Sequence, residues 1–173
     1  MIDIKRFMLK NGTCLLKDGL VPQLVADKAV TTADYVPLSV FLNGEYWGSY
    51  AALEKYDWQF FRDYYGIERE NLAIMKNATM EEGTLDDWED FHDLFDFVEE
   101  NDLSESDNYA EICSRIDIDS LIDYYCVQIY IDNIDCQETS NMLVWKGREP
   151  EKNNPHADGK WHWALYDIDA SFK

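Results

Sequence analysis

Asp135, Asn141, Asp167 and Asp169 are the side chains whose types and spacing can do chemistry in this chain. A carboxylate, an amide and a further pair of carboxylates, delivered from the ends of separate elements, suit a site for metal and phosphate. Phosphoryl transfer to a hydroxyl needs one carboxylate beside the attacking oxygen. It also needs a separate amide and carboxylate to hold magnesium against the triphosphate. In protein kinases the first follows a buried helix, the amide comes a few residues later, and the metal-binding Asp ends the second strand of the ensuing hairpin. The order here is the same: an apolar run Leu121–Ile131, then Asp135, Asn141, a strand, a loop, a strand and Asp167. Neither His-Arg-Asp nor Asp-Phe-Gly occurs, and every one of these residues has a plain alternative as a turn or loop former. Asp167 and Asp169 share one strand face about 6–7 Å apart at the α-carbons, which suits shared metal binding better than the separated acid and base of a hydrolase.

The elements that must position them are legible to different degrees. Lys5 to Leu9 reads as a short strand, and about Leu15 to Ala29 as a helix in spite of Gly19 and Pro22. Two β-rich runs spanning 36–53 are joined by Asn43-Gly44, a strong hairpin signal because both central residues of a type I′ turn need positive φ. Gly48 in the second run predicts a bulge or a close approach. Glu54 then stands either at a hinge between lobes or as an ordinary strand-end carboxylate.

Helical patterning begins at Asp57, which can cap a helix carrying Trp58, Phe61 and Tyr65, with Gly66 as its stop. Leu72–Met75 reads as a strand. A second helix starts near Thr84, and Trp88, Phe91, Phe95 and Val98 define its expected buried stripe. Residues 101–108 read as a linker. Asp117 or Asp119 caps the run Leu121–Ile131, whose all-round apolar character predicts a central buried helix. Met142–Lys146 and Trp161–Tyr166 form the closing hairpin.

With 173 residues and 46% hydrophobic content the chain can bury a real core. The 35 acidic against 15 basic side chains give a formal net charge of −20, which repels nucleic acid and anionic membrane and favours a cation or a basic polypeptide as partner. Four cysteines without a CxxC pair signal neither a zinc site nor a disulfide framework. No apolar run of membrane-spanning length is present, so membrane insertion is not expected.

The block Phe41-Leu-Asn-Gly-Glu-Tyr-Trp-Gly-Ser-Tyr50 with Glu54 and Asp57, then Asn133-Ile-Asp135, Asn141 and Trp161-His-Trp-Ala-Leu-Tyr-Asp-Ile-Asp-Ala-Ser-Phe172, resembles the spore coat protein H (CotH) kinase family. Phe7-Met-Leu-Lys-Asn-Gly12 and Lys17-Asp18 are similar to its upstream stretch, so the likeness spans nearly the whole chain. It implies an α+β, atypical protein-kinase-like fold of two lobes, here incomplete: a partial small β lobe over 1–55 with its hairpin at 36–53, and a helical lobe over 56–173.

The implied activity is phosphate transfer from ATP, with Mg2+, to Ser or Thr of proteins in the bacterial spore coat or at the cell surface. On that resemblance Asp135 is the catalytic Asp, and Asn141 and Asp167 are metal ligands, with Asp169 a further candidate. Tyr166 stands where the family has Trp, and Lys17 where an Arg is expected, losing bidentate geometry. A nucleotide-facing basic residue is expected upstream of Met1. The rival reading is a surface or structural binding module that keeps a kinase-like core without catalysis.

Overall fold

The computed structural model describes residues 6–11 and 16–172. Lys5 of the expected first strand, Leu15 of the expected helix, and Gly12, Thr13 and Cys14 between them lie outside the described residues.

Strands β1 (Phe7–Lys10), β2 (Tyr35–Leu42) and β3 (Glu45–Glu54) form an antiparallel sheet in the order β1-β3-β2. Asn43 (φ 50°) and Gly44 (φ 88°) make the expected tight turn, and Leu42 pairs with Glu45 across it. The register slips between Val40 and Phe41, opposite Gly48 at φ 140°, which is the predicted bulge. Pro37 is tolerated because β2 is an edge strand.

Helix α1 (Lys17–Leu24) lies between β1 and β2 in sequence. It ends at Leu24 and not at the expected Ala29. Pro22 has no N–H to return to the Asp18 carbonyl, which weakens the last turn. Beyond it the Ala29 amide donates to Asp123 at 2.7 Å. Gly19 is required by a close approach: a Cβ there would lie 2.4 Å from the Tyr35 ring.

A second antiparallel sheet has the order β5-β4-β6-β7, from β4 (Leu72–Lys76), β5 (Thr79–Glu82), β6 (Met142–Gly147) and β7 (His162–Leu165). Helices α2 (Trp58–Tyr65), α3 (Leu85–Glu100), α4 (Ser106–Arg115) and α5 (Ile118–Tyr130) complete the chain. The sheet is covered on both faces. Ala73, Met75, Val144, Trp163 and Leu165 pack with Phe91 of α3 and Tyr124 of α5. The alternate residues Leu72, Ile74, Leu143, Trp145 and Ala164 pack with Phe60 and Phe61 of α2. That two-sided burial is why β4 and β6 read as nearly unbroken apolar runs.

Local signals fix most helix ends. Asp57 accepts from the Gln59 and Phe60 amides at 3.1 and 3.3 Å, and Gly66 at φ 66° ends α2. Thr84 and Asp87 form a capping box on α3. Helix α4 begins inside the expected linker, at Ser106.

Two burial expectations are corrected. On α3, Phe91 is 1% exposed but Phe95 is 46% and Val98 45% exposed, because the buried face runs through Asp87, Phe91 and Leu94. That face also takes carboxylates inward, where Asp87 meets Arg148 at 3.0 Å and Asp90 meets Lys146 at 2.7 Å. On α5, Tyr124, Val127 and Gln128 are buried while Ile129 and Tyr130 are 78% and 80% exposed. The helix therefore packs through one face only.

The chain is α+β, with a small β-sheet leading into a helical part that ends in a loop and hairpin, the order of a partial kinase-like fold. Among the described residues no helix is long and apolar enough to cross a membrane.

Candidate functional site

Helix α5 ends at Tyr130, and the chain turns through Asp132 at φ 51° into the loop that carries Asp135. Asn133 fixes that turn from inside the protein. Its amide nitrogen donates to Gln128 Oε1 at 2.8 Å, and its side-chain oxygen accepts from the Asp135 amide at 3.2 Å. The Asp135 carboxylate then gathers two donors from its own loop: Ser140 Oγ, and Asn141 Nδ2 at 2.9 Å. Asp135 and Asn141, expected to act together, are thus in direct contact.

Asp167 and Asp169 follow β7. Met142 pairs with Leu165, so Asn141 and Tyr166-Asp167 leave the same end of the β6–β7 hairpin. The segment after Asp167 returns to the helix end, where the Phe172 amide donates to the Ile131 carbonyl at 2.6 Å. The two candidate segments are therefore tied together at both ends. Asn141 (φ 57°) and Asp167 (φ 48°) sit in the left-handed region, a conformation that Asn and Asp tolerate best and that clusters at functional sites.

Lys10 on β1 is the residue that sequence reasoning missed. Its ammonium lies 2.5 Å from Asp167, 2.9 Å from Asp18 on α1 and 3.4 Å from Asp169. Burial alone would lower the Lys10 ammonium, but the bonds and charges of Asp167 and Asp18 outweigh it and hold it above the usual lysine value. Asp18, buried at 3% exposure, is raised by burial against the opposing pull of Lys10, with Asp167 and Asp169 adding repulsion. The signal available in the sequence was Asp18 in the first turn of a helix, and a lysine at the end of a strand preceding it.

Lys17 reaches the same segment differently. It donates to the backbone carbonyls of Asp169, at 2.9 Å, and of Ser171, so an ammonium in place of the expected Arg tethers backbone and pairs with no carboxylate among the described residues.

A cleft of about 240 Å³ opens between the small sheet and the β7 end, with Met8, Leu53, Tyr166, Asp167, Lys10 and Asp18 among its walls. Asp135 and Asn141 are not among them. Glu54 also faces the cleft from the end of β3; it is buried, and burial raises its carboxyl while a bond from Tyr64 opposes the shift. Beside it the Tyr56 hydroxyl donates to the Leu165 carbonyl at 3.1 Å, joining the segment after β3 to β7.

Asp18, Asp167 and Asp169 surround the Lys10 ammonium. Among the described residues the group whose ligand atoms lie close enough together to hold a metal ion is instead Asp117, Asp158 and His162. A family model described as CotH kinase protein matches residues 6–173. The chain belongs to the CotH kinase family. No curated protein matches it. Within the CotH kinase frame, Tyr166 keeps an aromatic ring before Asp167, with the Lys76 ammonium 4.2 Å above it.

His162 bridges a separate pair of carboxylates, Asp117 at 3.2 Å and Asp158 at 3.1 Å. This clasp ties the 148–161 loop to the cap of α5 and so supports the helix that carries the Asp135 loop.

Proposed function

We propose that this chain binds ATP with Mg2+ and transfers the γ-phosphoryl group to Ser or Thr hydroxyls of a protein substrate. The observation that carries the reading is Lys10, which links β1, α1 and the Asp167 segment at the wall of an apolar cleft. An ammonium held by a buried carboxylate is preorganised to meet phosphate oxygens. The apolar walls from Met8 and Leu53 suit a purine face.

Asp167, with Asp169 and Asn141, would hold Mg2+, which when bound neutralises charge on the phosphates. Asp135 accepts the hydrogen of the attacking hydroxyl and orients its oxygen. The charge of −20 favours a basic polypeptide as substrate. The spore coat or cell surface is the setting that family membership supports.

The test uses the full-length protein. Titration with ATP should give saturable binding only when Mg2+ is present, and γ-labelled phosphate should pass to a basic, Ser-containing polypeptide. Absence of both would leave the non-catalytic binding module as the reading.

A further inference from the structure

Ser140 makes to Asp135 the hydrogen bond that an acceptor hydroxyl makes to a catalytic carboxylate. Its Oγ donates to Asp135 Oδ1, while Asn141 Nδ2 holds Oδ2 at 2.9 Å. In phosphoryl transfer to an alcohol, the acceptor donates that hydrogen bond to the catalytic carboxylate before attack. Here the chain supplies the donor itself. The Ser140 amide is pinned to the Gln137 carbonyl at 2.8 Å and β6 begins at Met142, so the hydroxyl is presented from a fixed loop. Ser140 is only half-buried. Thr139 next to it is exposed and makes no bond to Asp135 among the described residues.

We propose that Ser140 is a phosphoacceptor in cis, modified by the site that its own loop builds. The proposal rests on the kinase reading above. In the step, Asp135 takes the Ser140 hydroxyl proton, and a bond forms from Ser140 Oγ to the γ-phosphorus of ATP. The bond from that phosphorus to the β–γ bridging oxygen breaks, ADP leaves, and the proton passes from Asp135 to solvent. The product carries a charge of about −2 beside Asp135 at neutral pH. It removes the hydroxyl from the acceptor place and repels the carboxylate, so the reaction stops at one phosphate per chain and the modified protein transfers poorly to other substrates. Because donor and acceptor share one molecule, the rate is independent of protein concentration.

The experiment is incubation of the full-length protein with Mg·ATP, followed by intact mass and fragment spectra that distinguish position 140 from 139. One phosphate at Ser140 is expected, with a half-time unchanged on dilution. It should be lost in Ser140→Ala and in Asp135→Asn, and kept in Thr139→Ala. Ser140→Thr should carry phosphate at the same position, which guards against reading a misfolded alanine variant as support. Transfer to other residues or to a basic polypeptide with Ser140 unmodified overturns this inference and leaves the kinase reading standing. A half-time that lengthens on dilution overturns transfer in cis. No Mg2+-dependent ATP binding and no transfer to any protein overturns both.

Discussion

Lys10 and Asp18 form a pair whose members need one another: the ammonium is held by carboxylates, and the buried carboxylate has the ammonium as its counter-charge. Lys10→Met should abolish nucleotide binding and also lower the unfolding midpoint, since it strands Asp18. Adding Asp18→Asn should restore part of the midpoint and none of the binding, a split that thermal melts and ATP titration of the same proteins will read. Asp167 and Asp135 should separate in another way. Asp167→Asn removes a charged ligand and should weaken Mg2+-dependent nucleotide binding. Asp135→Asn should leave binding nearly intact and lower turnover by about 100-fold or more, because its work is on the attacking hydroxyl. Equal losses in both variants would show that the two residues do not divide the task.

Helix α3 shows how an element can be recognised and still be rotated wrongly. Its cap and its period are plain in the sequence, but Phe95 looks outward and the carboxylates of Asp87 and Asp90 look inward to Arg148 and Lys146. Phe91→Ala should therefore cost about 3–5 kcal/mol, and Phe95→Ala under about 0.5 kcal/mol, in denaturant melts. The inward carboxylates set the acid behaviour. For Asp87, Asp90 and Asp158, burial pushes the carboxyl up, and bonds from Thr84 and Arg148, from Lys146 and Trp161, and from His162 outweigh it, leaving each below the ordinary 3.8. The unfolded chain then takes up protons first as pH falls. Their contribution is present above that value and is lost as pH drops through the folded values. Asp18 and Glu54 are raised above their ordinary values, so their protonation favours the folded state and offsets part of the loss. The melting temperature should fall steeply below about pH 4, and the fall should be smaller in Asp90→Asn.

At the scale of the whole molecule, 35 acidic side chains against 15 basic ones create a field that opposes compaction and attracts cations. Screening shortens its reach to about 10 Å at 0.1 M salt. Raising salt from low to physiological concentration should therefore raise the melting temperature while it weakens transfer to a basic substrate through KM and not kcat. Kinetics on a basic and on a neutral polypeptide will check this, since only the former should respond. The segment between α1 and β2 is joined to the second sheet through Thr31. Its amide and carbonyl bond to Trp163 and Leu165 at 2.9 Å each, and its hydroxyl accepts from Trp145 Nε1 at 2.9 Å. No spacing in the sequence points to that junction.

What the sequence determined by itself is local or carried by an uninterrupted motif. Asn43-Gly44 dictates its turn because few other pairs accept positive φ twice. Asp57 and Thr84 cap their helices through bonds within three residues, and Gly66 closes α2 through bonds to carbonyls four and five residues back, while the structure chose Asp117 over Asp119 as the cap of α5. The order Asp135, Asn141, Asp167 and the family were legible because the motif residues are read along the chain. Tertiary structure alone decided three things. It chose which face of α3 and α5 is buried, since an apolar stripe with aromatics on both sides fits more than one rotation. It paired β4 with β6, Leu72 against Gly147, across the length of three helices. It brought Lys10 from β1 to Asp18 and Asp167. Each of these joins residues far apart in sequence, and a contact whose closing cost is met only by the packing of intervening elements leaves no mark in local residue pattern.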